Sequence, residues 1–373
     1  MGRSILILYS NTGGGHWSVA RAIRDALVAS DSSVGPEDIR LVDVFADYSR
    51  FPFNRFPAWY PNMIRYGSRL WSVGYRATDG RRRSRALLRP FRRTAGKVVR
   101  RLLNEGQPDA IVTVHPLLNT SILWALGRPR PVFVTVIADL TNSHSWWYAP
   151  EADLCLVPTE EARRKAILSG MDERKVRLTG FPVSAPFLED LPTREVIRQE
   201  LGWSPDRPAV LLSGGGAGIG PVVEVARKVS ALRLDCEIAI LTGRNESLYE
   251  RLKAESWETP VHLYRFTDQI ARLMKASDVL VTKAGPNSIM EACALGLPMV
   301  LVGAIPGQEE GNVRLVTEQG AGAWAPNPEQ AAQTVRRWIE EPTARRAASQ
   351  AARQMAQPEA AARIAEEILA CLS

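Results

Sequence analysis

The residue best suited to moving a proton in this chain is His16, which ends the run Ser10-Asn11-Thr12-Gly13-Gly14-Gly15-His16 between an apolar segment and an amphipathic one. Gly14 and Gly15 let backbone N–H groups come close to a ligand, and the start of a helix favours an anion or a polar acceptor. An imidazole there titrates near neutral pH and is a candidate general base. A second glycine turn, Ser213-Gly214-Gly215-Gly216-Ala217-Gly218, repeats the phosphate-friendly arrangement. A third follows Thr282 and Lys283, where amides near Asn287 and Ser288 suit a diphosphate and Glu291, one turn on, can accept from ribose hydroxyls. Gln308 and Glu309, in the polar loop Pro306 to Asn312, suit sugar hydroxyls, which both donate and accept. Asp139 closes an apolar run and is the first choice to hold the His16 imidazole in one tautomer, although a turn role fits it as well. His115, His144, Trp146 and Trp147 lie nearby as candidate ligand-lining residues, with packing roles equally open.

These residues need a frame that presents loops along one edge. Short apolar runs recur, each followed by a turn and an amphipathic stretch: Ile5 to Tyr9, Ile39 to Phe45, Ala110 to Val114 and Val132 to Ile137. A second series runs through Ala209 to Ser213, Glu237 to Thr242, Val261 to Tyr264, Val279 to Thr282 and Met299 to Val302. Buried parallel strands alternating with helices write this pattern, so the fold class is α/β, with two doubly wound domains. The boundary falls near Gly180-Phe181-Pro182-Val183, giving domains of 1–185 and 186–373, the second closed by Ala- and Arg-rich C-terminal helices. In such folds ligands bind outside the carboxyl ends of the strands, where each of these loops begins. Gly13 to Ser18 reads G-x-G-x-x-S, a dinucleotide fingerprint weakened by its serine and by the long spacing to Asp43.

At 373 residues, 45% hydrophobic and 23% charged, the chain is too long for one ordinary core and too apolar to be disordered. Its net charge of +7 is unevenly spread, with 27 basic and 18 acidic residues up to position 190 and 20 against 22 after it. The excess gathers in 76–101, where ten arginines and Lys97 face one acid, Asp79. Directly before it, 51–75 holds eight aromatics, including Trp59 and Tyr60. Aromatic rings beside arginines such as Arg81, Arg82 and Arg83 suit a bilayer interface carrying anionic phospholipid, whereas a local core with solvated arginines, or nucleic acid, would use the same composition differently. Four scattered cysteines without C-x-x-C suggest neither zinc nor disulfides. No apolar stretch is long enough to span a bilayer, so membrane contact is expected to be peripheral.

Taken in order, Thr-Gly-Gly-Gly-His at 12–16, Asp139-Leu140-x-x-x-His144-x-x-Trp147, Gly180-Phe181-Pro182-Val183, Thr242-Gly243-Arg244-Asn245 and the 283–312 segment resemble the monogalactosyldiacylglycerol synthase and processive diacylglycerol glucosyltransferase group. The resemblance covers nearly the whole chain, to about residue 325, and extends more distantly to the muramyl-lipid N-acetylglucosaminyltransferases. It implies a GT-B fold, two Rossmann-like domains facing across a cleft, with an N-terminal acceptor domain carrying the 51–101 insertion and a C-terminal UDP-sugar domain. It implies inverting transfer of a hexose, galactose or glucose, from a UDP-sugar to diacylglycerol. His16 matches the family's base, and Ser288, Glu291, Gln308 and Glu309 match its donor residues. No D-x-D motif occurs, so no metal is expected. The lack of a plastid transit peptide points to a bacterial member, peripheral on the inner face of the cell membrane.

Overall fold

The computed structural model describes the chain except residues 1, 2, 12, 13, 50–52, 90, 91, 215–220 and 373, and except the side chains of 53, 56, 57, 60–62, 64–66, 68, 69, 92 and 93. It divides into two compact units: Met1–Ser184 with Pro306–Gln308 and Gln357–Ser373, and Ala185–Ile305 with Glu309–Ala356.

The first unit is built on six parallel strands, β1 Ile5–Tyr9, β2 Ile39–Asp43, β3 Ala110–Thr113, β4 Val132–Val136, β5 Leu154–Val157 and β6 Val176–Leu178, in the order β2-β1-β3-β4-β5-β6. Ile5, Leu6, Ile7 and Leu8 are all buried, because helices cover both faces of a parallel sheet and leave no polar side for alternation to serve. Ile7 stands level with Leu41 on one neighbour and Val112 on the other. Strand order reverses between β1 and β3, which opens a crevice at their carboxyl ends. Helix α1, Gly15–Ser30, leaves β1 through Gly14, whose φ of 90° is left-handed and strained for any side chain.

Three helices lie between β2 and β3: α2 Phe56–Thr78, kinked at Gly67, α3 Arg81–Leu88 and α4 Arg92–Asn104. The arginine run is therefore not one surface. Helix α4 buries Ala95, Val98, Val99 and Leu102 in the core with Leu6, Ile111 and Phe133, each Val or Leu contributing about 1.5–3 kcal/mol. It is a crossover helix with its basic residues outward, and only α2 and α3 stand as an insertion. Helices α5 Pro116–Leu126 and α6 Glu160–Leu168 follow β3 and β5.

Helix α7, Arg194–Leu201, opens the second unit. Its strands are β7 Ala209–Ser213, β8 Glu237–Leu241, β9 Val261–Tyr264, β10 Val279–Lys283, β11 Met299–Gly303 and β12 Gly322–Trp324, in the order β12-β11-β10-β7-β8-β9 and again parallel. The reversal here lies between β7 and β10. Its helices are α8 Val222–Ala231, α9 Glu246–Lys253, α10 Ile270–Ala276, α11 Pro286–Leu295, α12 Glu310–Glu318, α13 Pro328–Glu340 and α14 Pro342–Met355. The expectation that all C-terminal helices close this unit is corrected by α15, Ala360–Ala370. Its apolar face, Ala360, Ala361, Ile364, Ala365 and Ile368, is buried against α1, so the last helix belongs to the first unit.

Candidate active site

Both reversal points carry polar groups that the protein leaves unsatisfied. In the first unit, His16 sits in the first turn of α1 and His115 follows β3 as the N-cap of α5. Their rings meet edge to face with centroids 4.7 Å apart. Nδ1 of His16, Nδ1 of His115 and Oγ of Ser10, just past β1, are buried without a hydrogen-bond partner. Buried polar atoms are nearly always paired, so three orphans at one crevice mark a place where ligand polar groups belong. Burial lowers the His16 pKa to about 4, against a hydrogen bond to the Val114 backbone that raises it. The ring is thus neutral at pH 7 and has a free lone pair to receive a proton. Burial, followed by the neighbouring His16, likewise lowers His115 well below the usual range.

Asp139 does not hold the His16 imidazole, contrary to expectation. Its Oδ2 accepts from the Trp147 indole Nε1 at 2.6 Å, and Oδ1 accepts from Gln308 Nε2 at 3.4 Å. Trp147 is 1% exposed, its carbonyl accepts from Asn119 Nδ2, and its ring centroid lies 5.8 Å from that of His16. Trp147 is thus part of the wall behind the histidine, and Asp139 reaches His16 only through it. Trp146 is partly buried beside His144, ring centroids 4.3 Å apart. His144 is also structural: Nδ1 accepts from the Trp146 amide, while Nε2 faces the Tyr75 carbonyl and Thr78 Oγ1, each at 3.1 Å. Burial lowers its pKa to about 4. Asp43 accepts from the amides of Asn11, Phe45 and Ala46, so it pins two loops and is occupied as a ribose ligand would not be.

In the second unit, α11 begins at Pro286 behind β10, and the amides of Asn287 and Ser288 belong to its first turn, at the positive end of the helix dipole. Glu291 on the next turn is raised to about 7 by burial. The Thr282 hydroxyl is buried and unpartnered at the end of β10. Glu309 is 2% exposed and already engaged, by the Lys283 ammonium and by the Ile305 amide at 2.9 Å. It shapes the loop and anchors Lys283 beneath Gly285, where a Cβ would strike the lysine. Gly214 follows β7, while Gly215 and Gly216 lie outside the described residues. Arg244, past β8, places its guanidinium 4.5 Å over the ring of Phe266, which is 58% exposed past β9. Sequence reading gave no role to Phe266, Ser10 or Lys283; an aromatic two residues beyond the end of an expected strand was the available signal for the first.

Comparison with known proteins places this arrangement. Residues 16–183 match the monogalactosyldiacylglycerol (MGDG) synthase family model, and residues 209–368 match the glycosyltransferase family 28 C-terminal domain. Monogalactosyldiacylglycerol synthase 2, chloroplastic, of Arabidopsis thaliana is 36% identical over 98% of this chain and 80% of its own length. The chain belongs to the monogalactosyldiacylglycerol synthase family. A probable monogalactosyldiacylglycerol synthase 2 of Oryza sativa subsp. japonica is 37% identical, with the same coverage. Among solved structures, Staphylococcus aureus MnaA with UDP has a TM-score of 0.64 at 14% identity, covering 98% of this chain and 95% of that one. Acinetobacter baumannii MurG has a TM-score of 0.59 at 14% identity, with 99% of each chain covered. The two six-stranded Rossmann-like units are those of the GT-B fold.

The insertion between β2 and β3 carries an exposed apolar stripe. On α2, Trp59, Met63, Leu70 and Val73 recur at helical spacing and are 45%, 44%, 81% and 67% exposed; Leu87 on α3 is 45% exposed. Arg76, Arg81, Arg82, Arg83 and Arg89 are exposed on the same two helices and the residue after them. The Tyr60 side chain lies outside the described residues. Asp79, between α2 and α3, accepts from the Ser145 amide and hydroxyl, the Gly80 amide and Lys165, and so ties the insertion to the Trp147 loop. Among the described residues, no helix is long and apolar enough to cross a membrane.

Proposed function

We propose that this protein transfers galactose from UDP-galactose to the sn-3 hydroxyl of 1,2-diacylglycerol, with inversion, at a membrane surface. The observation that carries the reading is His16: a neutral imidazole with an unpartnered buried nitrogen at the strand-order reversal of the first unit, in a chain of this family. Galactose rather than glucose is favoured by the names of the relatives. The acceptor oxygen attacks the anomeric carbon, its proton passes to His16, and the bond from that carbon to the diphosphate oxygen breaks, releasing UDP. The amides of Asn287 and Ser288 stabilise the departing charge, Glu291 takes ribose hydroxyls, and Phe266 offers a stacking face for the uracil. Gln308 is kept for the sugar, while Glu309 acts through the loop it shapes.

The Trp59 to Val73 stripe and Leu87 enter the headgroup layer of an anionic bilayer, with Arg81, Arg82 and Arg83 on lipid phosphates, peripherally on the inner face of the cell membrane. Transfer needs no divalent ion in this reading, since helix-terminal amides serve the diphosphate. The test offers UDP-galactose and UDP-glucose against diacylglycerol and a polyprenyl-phosphate acceptor, with and without EDTA. Galactosyl-diacylglycerol formed equally in EDTA is expected. Transfer only to the polyprenyl acceptor, or to neither, overturns the proposal.

A further inference from the structure

The second unit carries a cationic cavity far from its glycine loops. It has a volume of about 540 Å³ and is lined by Arg194 of α7, Asp278, Pro298 and the Gly296 cap of α11, and by Arg345, Arg346, Ser349, Gln350 and Arg353 of α14. Asp278 and Pro298 immediately precede β10 and β11, so the cavity lies at the amino edge of the sheet. Five-residue strands put it roughly 15 Å from the carboxyl-edge loops.

Its charge is not balanced from within. The one lining carboxylate, Asp278, is spent: Oδ1 accepts from Arg194, and Oδ2 accepts from Arg198 and from the Ala209 amide at 2.9 Å. Arg345 reaches that carboxylate only at 3.9 Å and donates to the Trp338 carbonyl. Arg346 has a neutral partner, Thr343 Oγ1, within its own helix. The Arg353 side chain lies against Gly296, and its guanidinium has no hydrogen bond or ion pair among the described residues. The spacing 345, 349, 353 and 346, 350, 353 places these side chains on one face of α14, where like charges oppose each other unless something anionic sits among them. Burial pulls Arg194 below its ordinary value, Asp278 opposes that shift, and the like charges of Arg198 and Arg345 add to it.

We propose that this cavity is a binding site for a soluble phosphorylated small molecule, held by the guanidinium groups of Arg345, Arg346 and Arg353. Guanidinium forks match phosphate oxygens two at a time, and the volume accommodates an organic group beyond the phosphate. The lining has no large exposed apolar side chain of the kind that lets a headgroup site meet a bilayer, which favours a soluble source.

The experiment titrates inorganic pyrophosphate into the full-length protein saturated with UDP, by calorimetry. A binding event is expected that Arg346→Gln with Arg353→Gln weakens at least tenfold, with UDP affinity and melting temperature unchanged. Both arginines are exposed and glutamine is a good helix former, so folding is not at stake. No event under saturating UDP, or one indifferent to the double substitution, overturns the site. Binding only to vesicles bearing a phosphomonoester lipid overturns the soluble ligand.

Discussion

The indole Nε1 of Trp147 donates to Asp139 Oδ2 at 2.6 Å, and the same indole stands 5.8 Å from the His16 imidazole. The carboxylate thus fixes the wall of the site while burial, not a carboxylate, sets the histidine's protonation. Trp147→Phe keeps an aromatic side chain but removes the donor and part of the buried indole, so it should cost about 1–3 kcal/mol for the lost bond, more for the space left behind, and lower kcat. Because Asp139→Asn disturbs the same bond, the two effects on unfolding free energy should be less than additive. A double-mutant cycle in urea measures this, and full additivity would separate the two residues.

Asp79 offers a stability test with a definite sign. Burial alone would raise its pKa, but Lys165 and the two Ser145 donors outweigh it and bring the group from 3.8 down to about 2. A depressed carboxylate stabilises the fold above its unfolded pKa and ceases to do so as pH falls through the folded value. Asp79→Asn should therefore cost about 2 kcal/mol at neutral pH, with the difference from the parent vanishing between about pH 4 and pH 2. A pH-independent difference would contradict the assignment.

Glu291 titrates in the opposite sense. Burial raises it to about 7, so it is neutral below that pH and a hydroxyl-accepting carboxylate above it. Uridine, itself uncharged near neutrality, should bind more tightly as pH rises through about 7. Glu291→Gln should flatten the profile; an unchanged profile would place the titrating group elsewhere.

Membrane capture should depend on the α2 stripe without touching stability. Leu70 and Val73 are largely exposed, so Leu70→Ser with Val73→Ser should alter unfolding free energy by under about 0.5 kcal/mol. Each lost side chain should nonetheless weaken binding to anionic vesicles by roughly tenfold, on about 1.5–3 kcal/mol per apolar side chain buried. Neutralising Arg81, Arg82 and Arg83 should remove about 1 kcal/mol per charge, and this part alone should disappear in high salt. Unaltered flotation of either variant would place the bilayer contact on another face.

Nine of the twelve strands are legible from apolar runs alone, because a strand buried on both faces writes a continuous one. Of the other three, Leu154–Val157 is a fully buried apolar run as long as Ala110–Thr113 and was simply passed over, whereas Val176–Leu178 leaves Arg177 and Leu178 exposed and Gly322–Trp324 is too short and too poor in strand formers. The loops after β1 and β10 could be placed because glycine, histidine and proline mark turns. What Asp139, His144 and Glu309 bond to could not, since a strand-end or loop position does not specify the partner brought there by the fold. An amphipathic helix hides its partner in the same way, as α15 shows by packing on α1. The arginine run misled by its composition, because Val98, Val99 and Leu102 at helical spacing make α4 a core helix.

The most direct test of the account is His16→Ala, assayed for galactosyl transfer from UDP-galactose to diacylglycerol together with equilibrium binding of UDP. Removing a general base should lower kcat by roughly 10²–10⁴-fold while UDP affinity stays as it was, because that ligand is assigned to the other unit. Retention of full activity in His16→Ala would contradict the account.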